Sequence, residues 1–186
     1  MSVEKNRWMF NVSDYYRMAA AGVFSEDDRV ELIEGEILEM SPTGSRHAAR
    51  VDRLNAALSR LVGGAAIVRV QSPLHLNDFS EPLPDISLLK PRDDFYEHSH
   101  PTPEDVLLVI EVADTSAAYD RTVKVPLYAR AGVPEVWLVD LVKNEAEVYS
   151  RPEGGVYRDV RRVARGQQLA SAQLPALVLN ADDVLA

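Results

Sequence analysis

Residues 84–124 read PDISLLKPRDDFYEHSHPTPEDVLLVIEVADTSAAYDRTVK, and their reading decides the fold. One acid heads an apolar run, a second lies inside the next run, and a lysine follows thirteen residues later. Asp85-Ile86-Ser87-Leu88-Leu89 is short, apolar and bounded by Pro84 and Pro91, which predicts a strand. Val106 to Val112 is a continuous apolar run of strand length and predicts a strand covered on both faces. Glu111 within it is expensive to bury unless a cation or hydrogen-bond donors meet it. Two carboxylates on neighbouring strands, with one lysine, can hold a hard divalent cation beside a phosphate.

Working outward, a helical stretch near Tyr119 to Ala131 ends at Gly132. Pro126 inside it lacks a donor and costs roughly 3 kcal/mol in a helix interior, so a kink is expected there, or a helix that begins only near Val123. Glu135 to Asp140 reads as another apolar strand, and Glu145 to Ser150 with Val156 to Val163 as a hairpin around Glu153-Gly154-Gly155. On the other side, Val51, Leu54, Leu58 and Leu61 repeat at helical spacing, predicting a helix from Ser45 to about Val62 that Gly63-Gly64 ends. Val30 to Met40 is a hairpin candidate with its turn at Glu34-Gly35. Ala65 to Val70 and Leu74 to Leu76 read as strands broken by Pro73. Ser13 to Ala20 reads as a short helix capped by Ser13, and the tail holds a strand at Leu177 to Leu179 and a last turn at Ala181 to Leu185. Helices alternating with apolar strands give a mixed α/β class.

The 186 residues are 46% hydrophobic, which suits one folded domain spanning the chain, with its core at about 30–140. Cysteine is absent, excluding disulfides and thiolate metal sites. The N-terminus lacks an apolar core of signal-peptide length and no run spans a bilayer, so a cytoplasmic protein without a membrane partner is expected. The net charge of −9 argues against broad affinity for nucleic acid. A metal that neutralises carboxylates, or a local basic patch, keeps a nuclease open.

Each candidate residue carries two readings. Asp85 and Glu111 are either a loop end and a satisfied interior carboxylate, or a pair sharing Mg²⁺ or Mn²⁺, which take one or two protein carboxylates plus waters and phosphate oxygens. Lys124 follows Asp120 by four residues, so it is either an exposed ion pair or an ammonium aimed at a scissile phosphate. His47 is structural or a site residue. Glu31, in the first hairpin, is one of four glutamates of which one can supply a third carboxylate, and Gln71 can donate into the same cleft. His75, His98 and His100 read as surface residues. Arg151, Arg158, Arg161, Arg162 and Arg165 make the only basic stretch, either a phosphate-contacting edge or a charged face that protects an edge strand.

ELIEGEILEMSP, His47 at a helix start, PDISLL, VIEVADTS-x₃-DRTVK and YARAGVPEVWLVD together resemble the Uma2 family. These are bacterial proteins usually labelled restriction endonucleases, with the fold of the PD-(D/E)xK nuclease superfamily. The resemblance spans roughly Val30 to Asp140. It implies a restriction-endonuclease-like mixed central sheet flanked by helices, preceded by an N-terminal helix and hairpin. It also implies a Mg²⁺-dependent (or Mn²⁺-dependent) endonuclease that hydrolyses DNA. Asp85 and Glu111 would be the metal ligands. The superfamily's lysine position falls on Ala113, which pushes that role to Lys124 on the next helix. Glu31 and His47 would support them. DNA is the implied partner, through the metal site and the Arg151–Arg165 stretch, and a homodimer would suit cutting both strands. The rival is a catalytically inactive PD-(D/E)xK-like binding or regulatory module. A carboxylate-pair glycosidase is disfavoured by the nearby lysine.

Overall fold

The computed structural model describes residues 7–25 and 27–185; the first six residues, which fall within the expected signal-free N-terminus, lie outside them. Helix α1 (Val12–Ala20) is followed by a hairpin of β1 (Val30–Ile33) and β2 (Glu36–Glu39). Its tight turn takes positive φ at both Glu34 (49°) and Gly35 (80°), the twist that a two-residue hairpin favours. Helix α2 (Ser45–Val62) leads to β3 (Ile67–Val70), β4 (Ile86–Leu89) and β5 (Val106–Ala113). Next come α3 (Ala117–Tyr119), a π-turn over Asp120–Lys124, α4 (Val125–Ala131), β6 (Glu135–Asp140), β7 (Glu145–Glu153) and β8 (Val156–Ala164). The chain closes with β9 (Gln168–Ala170), β10 (Val178–Asn180) and α5 (Ala181–Leu185).

The central sheet has six strands in the order β3-β4-β5-β6-β7-β8. Only β5 and β6 are parallel, and they are joined by the α3–α4 crossover, as a parallel pair requires. The sheet separates two apolar layers. On one face Ile86, Leu88, Ile110 and Trp137 meet the Val51/Leu54/Leu58 row of α2 and the tail residues Leu177, Leu179 and Val184. On the other, Val109, Val136 and Leu138 meet Val125, Leu127 and Tyr128 of α4. The mixed sheet with flanking helices is the expected class.

Several local expectations are corrected. Asn11, not Ser13, caps α1: its side chain accepts from Asp14 N–H at 2.8 Å while its own N–H donates to Asp14 at 3.3 Å, a reciprocal capping box. Leu74 to Leu76 forms no strand. Leu74 and Leu76 are still buried, and their N–H groups bond locally to Pro82 and Ser80 carbonyls at 3.0 Å, so the apolar signal was burial without a ladder. Strand β9, three residues paired with β10, left no periodic signal of its own. Pro126 sits in the first turn of α4, where its missing donor is harmless. The turn before it widens to π, with Val125 N–H bonding back to Asp120. The carbonyls of Ala117 and Ala118 are capped by Arg121 at 3.2 Å and by the Thr122 hydroxyl at 2.7 Å.

Candidate active site

The Ile86↔Ile110 pairing of β4 with β5, continued by one residue, sets Asp85 opposite Glu111. Asp85 lies where the strand ends and both helical layers converge. Its Oδ2 is 3.0 Å from His47 Nε2 on the first turn of α2 and accepts the Val112 N–H at 2.9 Å. Its Oδ1 accepts from Gln71 Nε2 at 3.2 Å. Gln71 takes a left-handed φ of 45°, which a side chain with a Cβ adopts at a cost, and its N–H bonds the Asp85 carbonyl at 3.0 Å. Burial pulls the Asp85 pKa up, but the His47 and backbone hydrogen bonds outweigh it and hold the carboxyl below its ordinary value. The same contact raises His47. A charged pair is the favoured state.

Glu111 lies on the opposite face of the sheet from Ile110 and is 2% exposed. Its Oε1 accepts from the Tyr128 hydroxyl at 2.6 Å and is 3.4 Å from Lys124 Nζ. The same ammonium is 3.2 Å from Glu31 Oε2, which also accepts the Leu83 N–H at 3.2 Å. Burial pushes the Glu111 pKa up to about 8 against the pull of Lys124. Burial opposes the charge on Lys124, yet Glu111, Glu31 and Asp120 hold its pKa above the ordinary lysine value. The helix-face pairing of Lys124 with Asp120 is not what forms: Asp120 accepts from the Ser116 hydroxyl at 2.6 Å, because the π-turn rotates the lysine away toward the two glutamates.

Asp85, Glu111, Lys124, Glu31 and His47 all line one cleft of about 660 Å³, and Gln71, Asp120 and Arg29 join them. Sequence reading left out Asp120, Arg29 and the Tyr128 hydroxyl. Tyr128 is fully buried; its spacing of one turn from Lys124 was the available signal. The Arg151–Arg165 stretch contributes nothing to the cleft lining. Four of its arginines pair with acids: Arg151 with Asp159, Arg158 with Glu153, Arg162 with Glu147 and Arg165 with Asp182. His75 is not a free surface residue, since its Nδ1 is 3.2 Å from the buried Glu81.

A hard divalent cation needs oxygen donors with open lone pairs. Among the described residues no three His, Asp or Glu side chains form a preformed cage. Two carboxylates suffice for magnesium. The Tyr128 and Lys124 contacts of Glu111 both fall on Oε1, so that among the described residues Oε2 has no hydrogen-bond or ion-pair partner, and Asp85 Oδ1 has one long hydrogen bond and a lone pair to spare. Oxygen donors with vacant lone pairs and no sulfur fit Mg²⁺ or Mn²⁺.

The family model Uma2, described as "Putative restriction endonuclease", matches residues 12–182. A solved structure titled as a "putative nuclease belonging to DUF820" from Anabaena variabilis is similar over 95% of this chain and 97% of its own, with a TM-score of 0.73 and 16% identity. At that identity the likeness is one of fold. None of the curated proteins matches the chain. Among the described residues, no helix is long and apolar enough to cross a membrane.

Proposed function

The chain belongs to the Uma2 family, and from that premise we propose that it is a Mg²⁺-dependent endonuclease hydrolysing DNA phosphodiester bonds. The observation that carries this reading is the convergence of Asp85, Glu111, Lys124, Glu31 and His47 on one cleft. Asp85 and Glu111 are the residues that would hold the ion. When bound, it neutralises phosphate charge and lowers the pKa of a water. His47 and Gln71 fix the orientation of the Asp85 carboxylate. Glu31 and Glu111 keep Lys124 protonated, so it serves as a donor and point charge for the developing negative charge at phosphorus, not as a base. The buried Tyr128 hydroxyl holds Glu111 in its rotamer.

The test is cleavage of supercoiled plasmid in Mg²⁺ or Mn²⁺. Asp85→Asn and Lys124→Met are each expected to lower the rate by about 10²-fold or more, with folding checked by circular dichroism. Full activity in either folded variant would remove the mechanism.

A second reading, a non-cutting binding module, is favoured by Ala113. It is fully buried in the apolar layer at the position where the superfamily carries its lysine. Titration calorimetry with Mn²⁺ separates the two: the nuclease gives heat that Asp85→Asn abolishes, whereas the module binds duplex with no such heat and no cleavage.

A further inference from the structure

Helix α2 starts at the cleft, where Gly44 and His47 form part of the wall. Arg46, Arg50 and Arg53 follow one another at spacings of four and three residues, within about 60° of each other around the helix axis. They flank the apolar row that packs on the sheet. The only acid of α2, Asp52, projects to a different side.

Acids neutralise these three arginines only in part. Arg46 pairs with Asp114 at 3.1 Å, an acid of the cleft wall, and donates to the Leu141 carbonyl at 2.6 Å. Arg50 is 7% exposed, and its Nε and Nη1 have no acceptor. Arg53 is exposed and has no ion pair among those found in the described residues. In the basic stretch of the β7–β8 hairpin, by contrast, Arg151, Arg158, Arg162 and Arg165 each have an acid partner. A guanidinium buried without an acceptor is costly, and like charges one turn apart repel. Burial and the charges of Arg53 and Arg46 accordingly push the Arg50 pKa down. In a chain of net charge −9, such a row is a place where an outside negative charge is welcome.

We propose that Arg46, Arg50 and Arg53 form a track for the DNA backbone where it leaves the cleft, with the unpartnered Arg50 guanidinium taking a phosphate oxygen. The track rests on the nuclease reading for the identity of its ligand. Its length fits: seven residues of helix rise about 10 Å, close to three phosphate-to-phosphate steps of one strand at roughly 3.4 Å of axial rise each. A basic strip beside the cleft reconciles an acidic protein with a polyanionic substrate, because it favours contact along the path that passes the carboxylates.

The test is fluorescence anisotropy of a short fluorescein-labelled duplex across a salt series, with Ca²⁺ replacing Mg²⁺ so that the probe survives. Arg53→Gln and Arg50→Gln are each expected to weaken binding and to reduce the slope of log K against log [salt] by about 0.9. Arg151→Gln, on the neutralised hairpin, is expected to leave the slope alone. Arg53 is exposed, so its variant reports on the track even if Arg50→Gln alters folding. Unchanged slopes with a wild type that still cleaves plasmid overturn the track and leave the nuclease reading standing. Lowered slopes with a wild type that never cleaves do the reverse. No duplex binding by the wild type overturns the track outright.

Discussion

Glu111 shows how a single side chain ties stability to function. Its pKa is pushed from 4.5 up to about 8 by burial, so between those values the folded protein binds more protons than the unfolded chain. Stability therefore falls as pH rises through that window. Glu111→Gln keeps the shape and removes the titration. We expect it to unfold at the same temperature as wild type near pH 5 and at a higher one near pH 8.5. Adding Mn²⁺ at pH 8.5 should raise the wild-type midpoint and leave Glu111→Gln unmoved, which a pair of thermal melts checks. A variant that is less stable than wild type at pH 8.5 would show that the Lys124 contact outweighs burial. The cost of burying this carboxylate explains why a glutamate inside VLLVIEV was conspicuous in the sequence. Its geometry with Asp85 was legible only through the resemblance and strand adjacency, because no residue pattern states which ends of two strands meet.

At the scale of elements, the π-turn between α3 and α4 aims Lys124, and Arg121 within the same turn clamps it to the sheet. Arg121 Nε donates to Glu147 on β7 at 2.9 Å, and its Nη2 is 3.4 Å from Asp140 on β6. Burial acts to raise the Glu147 pKa, but the Arg121 and Tyr149 hydrogen bonds hold it below 4.5. Glu147→Gln is expected to cost about 2 kcal/mol at pH 7, the scale of a hydrogen bond to a charged group. A depressed acid stabilises above its unfolded pKa and stops doing so as pH falls through its folded one. The deficit in urea unfolding should thus shrink as pH is taken below 4.5, and plasmid cleavage should drop as the lysine loses its aim. Pro126 betrayed this irregularity in the sequence but not its form, since a missing donor says where a helix is interrupted and not how the carbonyls before it are satisfied. Helix α2 was fully legible because an 18-residue helix repeats its apolar face several times. Strand β9, at three residues, repeats nothing, and Leu74 to Leu76 imitated a strand because buried loops also need apolar side chains.

For the molecule as a whole, the resemblance ran from Val30 to Asp140, yet the layer behind the sheet is closed by residues beyond it. Leu169, Leu177, Leu179, Val184 and Leu185 pack with Val51, Leu54 and Trp137. The same tail satisfies Glu135, a fully buried carboxylate on β6. Ser171 Oγ and Ala172 N–H donate to its Oε2 at 2.9 Å and Gln173 N–H at 3.3 Å, while Trp137 Nε1 serves Oε1 at 2.7 Å. Removing residues 167–186 would strip three of these donors and expose the α2 row, leaving a charge in an apolar layer two strands from β4. We expect the shortened chain to lose the near-ultraviolet dichroism of Trp137 and its cooperative urea transition, with Mn²⁺ unable to restore either. Replacing Glu135 by Leu in that shortened chain should recover part of the transition, because it removes the charge but not the exposed apolar surface. Retention of a native transition by the shortened chain without that change would mean that the strands between residues 67 and 140 hold the geometry of the cleft unaided, and that Glu135 is satisfied by water.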